Sequence, residues 1–142
     1  MAKTTELEAA YRATSYRVFL PGGLVELRLD QPSEALRAWL KSSAASEFAI
    51  LTAHNPDAQR LDVAANMARQ SQMEIELLEE GFEPYAGENE ADDGDWPIEE
   101  TCCVINIGLA EAIALGAKYS QNAVVHGTTD GVPRLLWIES TK

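Results

Sequence analysis

Apolar and polar positions change their spacing repeatedly along this chain, and the changes mark its elements. In residues 5–13, Leu7, Ala10 and Tyr11 fall on one side at helical spacing, and Thr5 followed by Glu8 has the form of a capping box. Residues 16–20 and 24–29 alternate with a period of two around Pro21-Gly22-Gly23, which predicts a β-hairpin. Its second arm turns Val25, Leu27 and Leu29 inward and Glu26 and Arg28 outward. Ser33 caps a helix striped by Leu36, Trp39 and Leu40, and the small polar cluster 41–46 ends it.

Residues 48–52 are continuously apolar apart from Thr52, the pattern of a strand buried on both faces. Asp62 then caps the longest helix, in which Val63, Met67, Ile75 and Leu78 form the expected inward stripe. Gly81 ends it. Residues 82–86 read as a short strand, 87–100 as one long irregular acidic segment, and 101–107 as a central strand. A helix rich in Ala and Leu occupies 108–119. Residues 122–126 and 132–138 close the chain as a hairpin around Thr128-Thr129-Asp130-Gly131.

The resulting order is α-β-β-α-β-α-β-β-α-β-β. Neither an internal repeat nor a linker divides it, so residues 1–142 are expected to form one α+β domain. The economical architecture is a mixed β-sheet with helices packed on it, any parallel crossover being right-handed.

Composition narrows the function classes. The 142 residues suffice for a core, but the formal charge of −12 is unusual. The Lys and Arg residues form no basic run, so direct binding to nucleic acid or an anionic membrane is not expected. Solubility, a basic protein partner or a metal would each fit the acidity. The first residues lack the apolar core of a signal peptide, and no stretch approaches the roughly 18 apolar residues of a membrane span. Cys102 and Cys103 are adjacent, so on a strand they face opposite ways and a bond between them would be strained. They read as reduced, buried residues of a cytoplasmic protein.

Candidate chemistry gathers where the apolar strand ends. Thr52-Ala53-His54-Asn55-Pro56 presents a hydroxyl and an amide as the chain leaves the hydrophobic layer, and Pro56 keeps Asn55 out of right-handed helical geometry. Asn66 and Arg69 share a face of the following helix, where Arg69 suits a phosphate or carboxylate near the helix start. The bland alternative is that Asn55 shapes the turn and Arg69 is a surface cation. His54 is the weaker candidate for a general base. The acidic run 88–100 would relieve its own repulsion on a divalent cation, or is simply solvated; it lacks the full calcium-loop pattern, and no metal site is assigned. Within it Trp96 is expected to anchor the loop or stack on a ligand. Gln121 follows a helix end, where it either makes the turn or reaches the same pocket as Glu99 and Asn55. The chain contains no P-loop, no Ser-His-Asp order and no zinc spacing, and it names no cofactor.

Leu-Thr-Ala-His-Asn-Pro at 51–56, Gly-Asp-Trp-Pro-Ile-Glu at 94–99 and Lys-Tyr-Ser-Gln-Asn-Ala-Val at 118–124, with Asn66 between the first two, resemble a family of small bacterial proteins catalogued only as a domain of unknown function. The similarity runs from about residue 11 to 137. It implies a bacterial cytosolic protein and no particular activity. It also implies that Thr52, Asn55, Asn66, Trp96, Glu99 and Gln121 are the polar and aromatic landmarks. The family has an aromatic residue where His54 stands, which argues against His54 as catalyst.

Together these readings predict a small-molecule-binding domain, with catalysis left open, for a nucleotide-like or phosphorylated ligand. Thr52, Asn55, Asn66 and Arg69 would form the pocket, and Trp96, Glu99 and Gln121 would close it. Glu99, partly buried beside Trp96, is the residue suited to acid or base work. Two other readings stand beside this one. In the first, an acidic interaction module docks on a basic partner. In the second, the polar motifs only tie loops to the sheet.

Overall fold

The alternation that follows the first helix folds as the expected hairpin. Strands β1 (Thr14–Leu20) and β2 (Gly23–Leu27) pair antiparallel, with Val18 opposite Val25. The structure is a computed structural model and describes residues 2–94 and 96–138. The later strands are β3 (Glu47–Leu51), β4 (Tyr85–Ala91), β5 (Glu99–Ile105), β6 (Ala123–Thr128) and β7 (Arg134–Trp137). Among the described residues they form a 7-stranded sheet in the order β2-β1-β4-β5-β3-β6-β7. The helices are α1 (Ala2–Arg12), α2 (Glu34–Ser42), α3 (Val63–Glu79) and α4 (Leu109–Lys118). Class and element order are those read from the sequence.

The sheet is not mixed, however. Every pairing along it is antiparallel. Hairpins supply β1–β2, β4–β5 and β6–β7, and β3 inserts between β5 and β6, antiparallel to both. No parallel crossover is needed.

The alternation along the strands separates two cores. On one face Tyr16, Val18, Leu27, Phe48, Ile50, Cys103 and Val125 pack with Leu36 and Leu40 of α2. On the other Ala49, Leu51, Cys102, Val104 and Val124 pack with Met73 and Leu77 of α3 and Ala112 of α4. The adjacent cysteines thus lie in different cores, as strand geometry requires. Gly87 marks how tightly the strands approach. A Cβ there would lie 2.3 Å from the Arg17 carbonyl oxygen and 2.8 Å from Thr101 Oγ1.

Two expectations fail for physical reasons. The segment 87–100 is not one irregular loop, because β4 continues to Ala91 and β5 begins at Glu99. Three of its carboxylates are matched by arginines of the β1–β2 hairpin and its exit. Arg17 Nη1 lies 2.9 Å from Glu88 and 2.7 Å from Glu90, and Arg28 Nη2 lies 2.7 Å from Asp92. Asp95 lies outside the described residues.

The long helix also faces the other way. Val63, Met67, Ile75 and Leu78 are exposed, Val63 by 74%. The buried positions are Asn66, Gln70, Met73 and Leu77, an equally regular helical spacing. Two polar side chains face inward because the turn after β3 requires hydrogen-bonding partners there.

Candidate functional site

Where β3 ends, residues 52–55 leave the sheet and their backbone groups lose its ladder. Buried N–H and C=O groups need partners, and side chains supply them. Gln70 Oε1 accepts from the Ala53 N–H at 2.9 Å, and Arg69 Nε donates to the Ala53 carbonyl at 2.8 Å. Thr52 Oγ1 accepts from the His54 N–H at 3.1 Å and donates to the Glu100 carbonyl at 2.7 Å. Gln121 Nε2 donates to the His54 carbonyl at 3.0 Å. Asn66 Oδ1 accepts from the Asn55 N–H at 2.8 Å.

Asn55 is the hub of this turn. Its backbone is left-handed, with φ 48° and ψ 64°, a conformation that asparagine tolerates better than most residues. Its Oδ1 accepts from the Leu61 N–H and from Asn66 Nδ2, both at 2.9 Å. Its Nδ2 donates to Glu99 Oε2 at 2.8 Å. Trp96 Nε1 donates to the same oxygen at 2.8 Å. One carboxylate oxygen therefore joins the turn after β3 to the segment before β5.

The structure brings Thr52, Asn55, Asn66, Trp96, Glu99 and Gln121 into one hydrogen-bonded neighbourhood. Arg69 reaches it from behind. Its guanidinium donates to the carbonyls of Ala53 and Tyr119 and stands 5.6 Å from the centre of the Tyr119 ring. The N–H groups at the start of α3 meet Asp62, whose carboxylate accepts from the Ala65 N–H at 2.7 Å. Arg69 is thus committed to backbone oxygens, and an acidic cap occupies the helix start where an anion was expected.

A cavity of about 240 Å³ opens beside the turn, between α1 and the sheet. Leu7, Ala10 and Tyr11 line its helix side, and Tyr16, Ile50, Val125 and Leu135 line its strand side. Thr52, Asn55, Trp96, Glu99 and Gln121 reach it, whereas Asn66 and Arg69 do not. Among the described side chains, no Lys, Arg or His belongs to its wall.

Tyr11, Tyr16 and Asn89 belong to the wall and were not singled out from sequence. The period of β1 does turn Tyr16 inward, but Asn89 lay in a stretch that read as loop. Burial, and then the charge of Glu99, push the Tyr11 phenol up to about 12. Burial raises Tyr16 further still, and its hydroxyl donates to the Tyr11 carbonyl at 3.1 Å. Asn89 pairs with Glu99 across β4–β5 and with Tyr16 across β1–β4. Its Oδ1 is buried without a hydrogen-bond partner.

His54 is buried and lies outside the cavity wall. Its Nε2 has no hydrogen-bond partner and stands 3.9 Å from Glu100 Oε1. Burial lowers its pKa, against smaller upward effects of Glu99 and Glu100. The ring is held as a neutral imidazole away from the cavity.

The profile of the family described as protein of unknown function (DUF3293) matches residues 51–124, more than half of the chain, and the chain belongs to that family. No curated protein and no solved structure matches it. The matched span holds the turn, α3, Trp96, Glu99 and Gln121. The α1 wall of the cavity lies outside it.

Proposed function

We propose that this DUF3293 member is a small-molecule-binding domain whose ligand occupies the cavity between α1 and the sheet. One observation carries the reading. Thr52, Asn55, Trp96, Glu99 and Gln121 tie loops together and also border a shared cavity. Apolar walls with a few convergent polar groups are the usual make-up of a ligand site. Leu7, Ile50, Val125 and Leu135 would meet the ligand's apolar body, and Glu99 its polar end. Where chemistry accompanies binding, Glu99 is the acid or base, oriented by Asn55 and Trp96.

A phosphorylated ligand loses its support, because Arg69 serves backbone carbonyls and no cation lines the cavity among the described side chains. The interaction-module reading rests on the net charge alone, since Glu88, Glu90 and Asp92 are already matched by Arg17 and Arg28. A bacterial, cytoplasmic setting is part of the proposal. The family resemblance supports it, and the free, buried Cys102 and Cys103 are compatible with it.

A fragment screen by two-dimensional NMR tests the reading through the indole N–H of Trp96, which donates to Glu99. Fragments should shift that signal in the natural chain and lose the effect in Ala10→Trp, which plugs the cavity from α1. Shifts confined to the outer surfaces of α3 and α4, or binding undiminished by the plug, would refute it.

A further inference from the structure

Resting on the cavity reading above, we infer that the ligand is an organic amine, bound as its ammonium ion with Glu99 as counter-charge. Among the described residues Glu99 forms no ion pair, and the described side chains of the wall include no Lys, Arg or His. Both groups that hold the carboxylate, Asn55 Nδ2 and Trp96 Nε1, donate to Oε2. Oε1 is the oxygen left for a ligand.

Directly across the β4–β5 ladder, Asn89 brings a carbonyl oxygen that has no donor. Its terminal torsion is soft, so a turn of the amide presents that oxygen to the cavity. The polar end of the cavity therefore includes two acceptor oxygens without a bonded donor among the described residues, Glu99 Oε1 and Asn89 Oδ1. An ammonium group is the complement, with three donors, no acceptor and a positive charge.

The remaining wall agrees with this assignment. Tyr11 brings an aromatic ring, whose face attracts cations, whereas the Trp96 ring already carries the Arg60 guanidinium 4.7 Å from its centre. Leu7, Ile50 and Val125 suit a compact hydrocarbon body. The chain's charge of −12 draws cations toward it and repels carboxylates and phosphates. An anionic ligand would instead meet Glu99 with no cation among the described lining side chains to offset the repulsion.

The test titrates the full chain at pH 7.5 with benzylamine, benzyl alcohol and benzoate, followed by calorimetry and by the Trp96 indole signal. Benzylamine should bind at least tenfold more tightly than the alcohol, about 1.4 kcal/mol, and benzoate should not bind. Glu99→Gln should abolish the amine's advantage over the alcohol. Asn89→Asp adds a second carboxylate and should tighten the amine selectively.

Equal affinity for amine and alcohol in the natural chain, or tighter binding of benzoate, overturns the amine assignment while leaving the cavity reading intact. Binding of all three compounds that ignores Ala10→Trp overturns the cavity reading itself. Failure of all three to bind refutes the amine assignment, and the fragment screen then judges the cavity separately.

Discussion

Replacing Asn55 interrogates the turn at its centre. Asn55→Ala removes the Oδ1 bonds from the Leu61 N–H and Asn66 Nδ2 and the Nδ2 bond to Glu99. At about 1 kcal/mol for each hydrogen bond, the loss is about 3 kcal/mol. Alanine must also adopt φ 48°, and the left-handed region costs a residue with a Cβ about 1–2 kcal/mol. Asn55→Gly loses the same bonds and escapes that strain, but its freer unfolded chain costs roughly 0.5–1 kcal/mol. Alanine should therefore destabilise by about 4 kcal/mol, and glycine by somewhat less, with a gap of about 0.5–1 kcal/mol.

Urea unfolding followed by tryptophan fluorescence measures both variants, provided their denaturant slopes agree with the natural chain. A loss under about 1 kcal/mol in both variants would show that the hydrogen-bond hub contributes little. Glycine worse than alanine would instead remove the argument from left-handed geometry. The indole signal of Trp96 should move in both, because Glu99 Oε2 then keeps one of its two donors.

Three further perturbations test separate parts of the structure. Burial lowers the His54 pKa below its ordinary 6.5, so the unfolded chain takes up the proton first. The stability of neutral His54 is full above pH 6.5 and is lost as pH falls through 6.5 toward the lowered folded value. His54→Phe should flatten the fall in Tm between about pH 7.5 and 5.5, and an unchanged slope would contradict the burial argument. The lowered carboxylates Glu76, Asp92 and Asp130 titrate below that window. Gly87→Ala should cost about 1–3 kcal/mol in chemical denaturation, because its Cβ would meet the Arg17 backbone at 2.3 Å; a neutral result would mean the strands can separate cheaply. Arg69→Lys should cost about 1–2 kcal/mol while leaving ligand affinity unchanged, since one ammonium replaces a fork joining two carbonyls; loss of affinity without loss of stability would return Arg69 to the ligand site.

Local rules carried the sequence reading a long way. The hairpin around Pro21-Gly22-Gly23 follows from turn chemistry within a few residues. The Ser33 and Asp62 caps accept from Leu36 and Ala65 as their positions predict. Gly81 ends α3 with φ 93°. The extent of β4 was not legible, because Gly, Glu and Asn are poor strand formers in isolation. The ion pair that offsets Glu88 comes from Arg17, 71 positions away in the chain. The facing of α3 was hidden because two helical spacings interleave in it, one apolar and one partly polar. Hydrophobicity favours Val63, Met67, Ile75 and Leu78. The demands of the turn bring in Asn66 and Gln70, and those demands are invisible until the turn exists.

Residues that build the site differ from residues that can report on it. Asn66, Arg69 and Gln70 hold the turn from outside the cavity, and Asn55 both holds the turn and faces the ligand space. A loss of binding would report lost structure at the first three and would mix lost structure with lost contact at Asn55. Asn89 and Tyr11 border the cavity without bonding to the turn through their side chains. The Tyr11 phenol, raised to about 12 by burial and the charge of Glu99, remains protonated across the neutral range and keeps a donor in the wall. Tyr11→Phe removes that hydroxyl and leaves the ring, so it should alter ligand preference more than stability. Variants at these two positions can therefore show the cavity at work, where variants at the more conspicuous motif residues would mainly show the turn coming apart.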